Sequence, residues 1–216
     1  FMDLSRQLYA SPKQRSDFLN ALSAHGQVKG FEYEAVSVTG KRLWLRMDAR
    51  VGETLAGGGF TIEGFSIDIT RRKRMEQLLR TRLQIREYAD THSLQEVLQR
   101  TLNEAETLTN SQIGFFHFVE ADQQTIHLQM WSSTTLRRIC KAEGVERHCP
   151  VEKAGVWADC LRQRQTVVHN DYPSLPHSKG LPPGHPPIVR ELLIPVIRDD
   201  CVVAILGMGN KPADYT

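Results

Sequence analysis

FTIEGFSIDITRRKRMEQLLRTRLQIREYADTHSLQEVLQRTLNEAETLT, residues 60–109, decides how this chain is organised. Phe60 to Ile69 reads as a strand, and at Asp68-Ile69-Thr70 the period of the pattern changes from two to helical. Thr70 is placed to cap a strongly basic helix over 71–88, which Asp90-Thr91-His92 then interrupts. Ser93-Leu94-Gln95-Glu96 has the pattern of a capping box, in which the hydroxyl reaches forward to a backbone N–H and the carboxylate reaches back. Beyond it Leu94, Val97, Leu98, Thr101, Leu102, Ala105 and Leu108 recur on one helical face. The break between the two helices divides the chain into two α+β modules, each an antiparallel sheet flanked by helices.

Upstream, a helix over Ser16 to Leu22 is expected to end at His25-Gly26. A strand from Phe31 to Val38, a turn at Thr39-Gly40-Lys41 and a strand from Arg42 to Val51 follow as a hairpin. In the second strand Leu43, Leu45, Met47, Ala49 and Val51 face one way, while Trp44 lies among Arg46, Asp48 and Arg50 on the other. An indole on a charged face points to a covering element, a helix or a partner subunit, with an indole lying flat over the arginine stems beside it as the alternative. Downstream, strands are expected at Ile113 to Glu120, Thr125 to Trp131, Thr166 to Asn170, Glu191 to Arg198 and Cys201 to Met208. Short helices are expected near Thr134 to Lys141 and Gly155 to Arg164, with a Pro-, Gly- and His-rich loop over 171–189.

The 216 residues carry a net charge of +2, with 40% hydrophobic and 24% charged side chains. That balance fits a soluble globular protein and gives no electrostatic drive toward nucleic acid or an anionic membrane. No apolar run is long enough to cross a bilayer and no secretory signal opens the chain, so a cytoplasmic location is expected. Cys140, Cys149, Cys160 and Cys201 form no CxxC pair and are expected to be reduced thiols. No phosphate-binding loop, catalytic triad, kinase phospho-acceptor box or cyclase motif occurs, so no catalytic activity is expected within these residues.

The stretch GFEYEAVSVTGKRLWLRMDARV and the later IEGFSIDITRRKRMEQ resemble the closing half of a PAS domain, including its end-signal at Asp68-Ile69-Thr70. Residues 93–216 resemble a GAF domain of bacterial sensor kinases and related regulators. The features that carry this likeness are SLQEVLQRTLNEAETLT, IGFFHFVEADQQTIHLQMWS, GVWADCLRQRQTVVHND and RELLIPVIRDDCVVAILGMGNK. The resemblance implies a PAS half over 1–69, a signalling helix over 70–92 and a GAF domain over 93–216, whose usual closing helix would lie past Thr216. Asn210-Lys211 with Asp214 is similar to the Asn-Lys…Asp signature of cyclic-nucleotide-type GAF domains, which implies a structural Lys211–Asp214 salt bridge. The Phe and final Glu of that signature are absent here.

The loop from His169-Asn170-Asp171-Tyr172 through His177 and His185 to Arg190-Glu191 combines prolines that restrict the backbone with polar groups suited to a small ligand. Asp171, Tyr172, His177, His185, Arg190 and Glu191 are the candidate ligand-binding residues, with Trp131 and Trp157 as apolar walls. The ligand's identity is not legible, and no cofactor is assigned. His148, Cys149, His177 and His185 fit no metal-ligand spacing. The resemblance implies a sensory region that binds a small molecule and relays the signal to an effector domain, such as a kinase or cyclase, outside this chain. A ligand-free dimerisation module is the alternative. A second is a redox sensor, or an enzyme like the GAF-related reductases of free methionine sulfoxide, using Cys140, Cys149 or Cys160. Met75, Leu78 and Ile85, with Leu79 and Leu83 beside them, make a partial coiled-coil seam that Arg82 interrupts, which predicts a homodimer. Seven basic and two acidic residues on that helix make the dimer one that added salt strengthens.

Overall fold

The computed structural model describes residues 8–55, 57–139, 148–152, 154–176 and 187–216, and divides the chain into compact units over Phe1–Arg80 and Thr81–Thr216. In the first unit α1 (Pro12–His25) starts on a proline whose missing N–H costs nothing there. It stops at Gly26, whose left-handed φ of 67° lets its N–H close on Leu22 O. These signals make α1 longer than the expected 16–22. Phe18 and Leu22 are buried against Ala49, with Phe31, Met47 and Val51 around them.

The sheet of this unit runs β1 (Gln27–Val36), β2 (Arg42–Thr54), β3 (Phe60–Asp68), all antiparallel. β1 begins before the expected Phe31 because a bulge between Val28 and Phe31 absorbs Gly30, at φ 69°. The Gly30 N–H donates to Asp48 Oδ1 at 2.6 Å, so the irregular residue is still paired. Leu45, Met47, Ala49 and Val51 share the core-facing side of β2. All nine residues of β3 are exposed.

α2 (Thr70–Ala89) follows directly. Thr70 is not its side-chain cap: Asp68 Oδ1 accepts the Thr70 N–H at 2.8 Å, while Thr70 Oγ1 accepts the Trp44 N–H at 2.9 Å. The hydroxyl therefore ties the helix start to β2. The next turn supplies the cover that Trp44 requires, with the Lys73 ammonium 5.1 Å from its ring centroid.

In the second unit α3 (Leu94–Thr109) carries the full capping box. The Ser93 N–H donates to Glu96 Oε2 at 2.9 Å, and the Glu96 N–H donates to Ser93 Oγ at 3.4 Å. Its partner is a six-stranded antiparallel sheet of β4 (Ile113–Val119), β5 (Thr125–Trp131), β6 (His148–Pro150), β7 (Val167–His169), β8 (Glu191–Arg198) and β9 (Cys201–Gly209). The spatial order is β6-β5-β4-β9-β8-β7. Asp199 and Asp200 take φ of 48° and 57°, the two left-handed residues a tight β8–β9 turn needs. Leu98, Leu102 and Ala105 pack on one face with Met130, Phe116, Leu192, Leu206, Met208 and Tyr215. Leu94 and Leu108, expected on that stripe, are exposed at the two ends of the helix. α4 (Ser133–Ile139) is joined to α3 through Asn103, whose Oδ1 accepts the Ser133 N–H at 2.8 Å.

The other face is covered by a 3-10 turn (Val156–Ala158) running into α5 (Asp159–Gln163), and by a second 3-10 turn (Tyr172–Ser174). Among the described residues no helix is long and apolar enough to cross a membrane.

Candidate functional site

β4 sets up the site by simple alternation. Ile113, Phe115 and His117 point away from α3, while Gly114 and Phe116 point toward it. Phe115 lies edge-on to both Trp131, 5.9 Å away between ring centroids, and His117, at 5.1 Å. His117 in turn stacks on Trp157 at 4.7 Å. The result is a continuous row, Trp131–Phe115–His117–Trp157, along one side of the sheet. Gly207 of β9 makes it possible: a Cβ there would run into the Phe115 ring, so only glycine lets the ring lie across the strand.

Within this row the His117 Nδ1 is sealed from solvent with no hydrogen-bond partner among the described residues. Burial pushes the imidazole down to about 3, so His117 is neutral at ordinary pH. Tyr172 is buried with Ile113, Val156 and Ile188, against Trp131, and its hydroxyl is likewise sealed and unpartnered. Burial and then the Glu191 and Asp159 carboxylates push that phenol up to about 12, so it remains a hydroxyl.

A second group of polar side chains lies on the same face. His169 Nδ1 is 2.7 Å from Glu191 Oε1, and its Nε2 is 3.7 Å from Asp159 Oδ2. Glu191 is only 3% exposed, and burial raises its carboxyl to about 7 despite the opposing pull of His169. Asp159, also buried, is held by Arg162 Nη1 at 2.7 Å. The same guanidinium donates to the carbonyls of Val151, Ala154 and Gly155, fastening the segment before the 3-10 turn onto α5.

The candidates named from sequence are distributed as follows. Trp131, Trp157, Tyr172 and Glu191 all face this side of the sheet. Asp171 does not join them: it is exposed and its backbone carbonyl receives the Ser174 hydroxyl. Arg190 turns away as well, its Nε donating to Asp214 at 2.8 Å. That pair corrects the Lys211–Asp214 bridge implied by the resemblance, for the Lys211 ammonium sits 5.5 Å from the Tyr215 ring centroid instead. His177 and His185 lie outside the described residues.

Asn210, at φ 56°, clamps the chain entering β8, accepting the Val189 N–H at 2.8 Å and donating to Pro187 O at 2.9 Å. Asn170 does the same to Tyr215, through its N–H at 2.8 Å and its carbonyl at 3.1 Å. Sequence reasoning missed His117, Asp159 and Arg162 as members of the site. The signal for His117 was present, an imidazole alternating with Phe115 on an apolar strand. Asp159 and Arg162 are brought to His169 only by the tertiary fold.

Cys160 is buried and its thiol is pushed up to about 12 by burial, so it is not a thiolate nucleophile in this arrangement. Cys201 is exposed on β9, and Cys140 and the side chain of Cys149 lie outside the described residues. Among the described residues no three His, Cys, Asp or Glu side chains are grouped to hold a metal ion.

Comparison with known proteins agrees with this architecture. The chain is 35% identical over 192 residues to a methyl sulfide methyltransferase-associated sensor of Methanosarcina acetivorans. The alignment covers 86% of this chain but 19% of that protein, so the chain spans about a fifth of its relative's length. The GAF domain of an Acinetobacter phosphoenolpyruvate-protein phosphotransferase matches with a TM-score of 0.53 at 17% identity, over 67% of this chain and 81% of that one. Its Coxiella burnetii counterpart gives 0.53 at 15% identity, over 66% and 83%. At such identities the likeness is one of fold. The sensor relative together with the domain type supports a sensory or regulatory role. The family model for the GAF domain matches residues 91–216, and the chain belongs to that family.

Proposed function

We propose that residues 93–216 bind a small molecule over the Trp131–Phe115–His117–Trp157 row and relay its presence to an effector domain outside this chain, such as a kinase or cyclase. The observation that carries this reading is a pair of sealed polar atoms without a partner among the described residues, His117 Nδ1 and Tyr172 Oη, on one aromatic face. A buried donor or acceptor left unsatisfied costs about 1–3 kcal/mol, which a ligand supplying the missing partners recovers. Glu191, Trp131 and Trp157 belong to the binding face in this reading, and His177 and His185 are further candidate ligand-binding residues. The relay is a population shift: the ligand favours one packing of the loop and of α3, and that bias passes to the effector. Residues 1–69 are then the closing half of a PAS domain and 70–92 a signalling helix, all within the cytoplasm. Native mass spectrometry of purified protein is expected to show a co-purified small molecule that His117→Phe and Tyr172→Phe both lose. A chain that carries nothing, with tryptophan fluorescence blind to every added metabolite fraction, refutes the binding reading.

A ligand-free interaction module is the second reading, favoured by Met75, Leu78, Leu79 and Leu83, all exposed on α2. It predicts a homodimer through that helix, strengthened by salt and lost in Leu78→Glu. Light scattering at low and high salt decides it: a monomer throughout removes this reading.

A further inference from the structure

On the α3 side of the sheet, away from the aromatic row, a second polar site is built around Glu106. α3 ends at Asn110, in the left-handed region at φ 54°, whose N–H turns back to the carbonyls of Glu106 and Thr107. The Ser111 N–H also reaches Glu106 O, at 2.9 Å. The backbone at this point is therefore fully engaged, but the side chain is not. Glu106 is 5% exposed, and its Oε2 is sealed from solvent with no hydrogen-bond partner among the described residues.

Glu106 lines a groove of about 410 Å³ together with Thr107, Asn110, Ser111, Gln112, Thr134 and Pro212. These side chains offer hydroxyl and amide groups, and no basic residue is among them. Lys211, beside Pro212, directs its ammonium to the Tyr215 ring.

Two independent features favour positive charge here. A buried carboxylate without a counter-charge is costly and is relieved by a cation that also donates hydrogen bonds. The groove also sits at the C-terminal end of a 16-residue helix, where the helix dipole adds partial negative charge. The donor set discriminates between cations. Among the described residues no three carboxylate, imidazole or thiolate groups cluster for a metal ion, whereas an ammonium needs acceptors for three N–H bonds. One carboxylate and a ring of neutral oxygens meet that need, and a groove of this size has room for an alkyl stem.

We propose that the Glu106 groove binds a protonated primary amine, with Glu106 as its counter-charge and the surrounding hydroxyl and amide oxygens accepting the remaining N–H groups. The ammonium belongs either to a free alkylamine or to a lysine side chain of a partner protein. This site is independent of the ligand proposed for the aromatic row.

The test titrates the purified chain with n-butylammonium chloride at constant ionic strength, following the melting temperature and the amide NMR signals of residues 106–112 and 134. A saturable rise in melting temperature is expected, with shifts confined to those amides. Tetramethylammonium, which has no N–H to donate, is expected to do neither. Glu106→Gln is expected to weaken binding by about tenfold or more, the range for losing a hydrogen bond to a charged group. If that variant does not fold, Glu106→Asp, which withdraws the carboxylate by one methylene, must weaken binding in its place. An acetyl-lysine-amide carrying a free ε-amine that binds tighter than butylammonium identifies a protein lysine as the source, and the reverse order a free amine. The proposal is overturned if neither amine binds, if tetramethylammonium acts equally, or if binding survives unchanged in the Glu106 variants.

Discussion

On the α3 side of the six-stranded sheet, Leu98, Leu102 and Ala105 meet Met130, Leu192, Leu206 and Met208, and the interface is sustained by burial and dispersion. On the opposite side the same strands present Phe115, His117, Trp131 and Glu191, and the covering elements bring Trp157, Asp159, His169 and Tyr172 against them. One face is a helix-on-sheet core, with the Glu106 carboxyl buried near the end of the helix. The other sets an imidazole and a phenol among aromatic rings, with the buried Glu191 and Asp159 carboxylates beside them. The contrast lies in what the strands bury on each side, a helix stripe on one and the Trp131–Phe115–His117–Trp157 row on the other.

Substitutions that separate the two faces sharpen this contrast. The largest effect is expected at Leu102, 1% exposed between α3 and the sheet. Leu102→Ala is expected to lower stability by about 2–5 kcal/mol by chemical denaturation, with little change on the aromatic side. A loss below about 1 kcal/mol, small against that range, would mean the interface relaxes around the deletion and is no rigid support.

Glu191 tests the opposite face through pH. Its carboxyl rises from 4.5 to about 7 on folding, so between those values the unfolded chain holds fewer protons than the folded one. This contribution to stability therefore falls as pH rises through that window and is flat above it. Glu191→Gln is expected to remove that slope and raise stability at pH 8, by about 3 kcal/mol at most from 1.36 kcal/mol per pH unit. His117 acts in the opposite sense. With its imidazole pushed down to about 3, its contribution is full above 6.5 and declines as pH falls. The Gln variant should thus keep an acid-side decline, and His117→Phe should reduce it, the Glu32, Asp68, Glu96 and Asp122 carboxyls, held below their usual range by hydrogen bonds, supplying the rest. Denaturation midpoints measured from pH 4 to 8 check both, and a wild-type profile unchanged in either variant contradicts the assignment.

Gly207→Ala comes next. Its new Cβ must displace the Phe115 ring and with it the contacts to His117 and Trp131. A cost of about 1–3 kcal/mol, typical of overpacking, is expected together with altered tryptophan fluorescence. An unchanged spectrum would show that the row has slack. The smallest effect is at Ser93, where removal of the capping hydroxyl in Ser93→Ala is expected to cost about 1 kcal/mol without altering either face.

What could be read in the sequence was local. Ser93 and Glu96 specify their own geometry over a single turn, as Asp199 and Asp200 do between two strands. The alternation of β2 assigned its core side, and the isolated Trp44 announced a covering element that Lys73 provides. The candidate site was only partly legible because its polar members are joined by pairing, not by sequence. His169 meets Glu191 because β7 and β8 are in register, and Asp159 because α5 lies over that same face. Asp171 and Arg190 were plausible by composition, yet each is a neighbour of a site residue whose side chain projects elsewhere. Adjacency in a loop predicts proximity, but direction is set by the backbone.

The two asparagine clamps have a consequence for how this domain can change. Asn170 and Asn210 each use a side-chain amide as a surrogate for main-chain pairing, one fixing the chain after β7 and the other fixing it before β8. The intervening stretch is thus moored at both ends by groups outside it. Its length can drift at small thermodynamic expense, since doubling a closed loop adds only about 0.6 kcal/mol. A stretch of different length grafted between Asn170 and Asn210, moorings retained, should leave the scaffold's melting behaviour nearly intact.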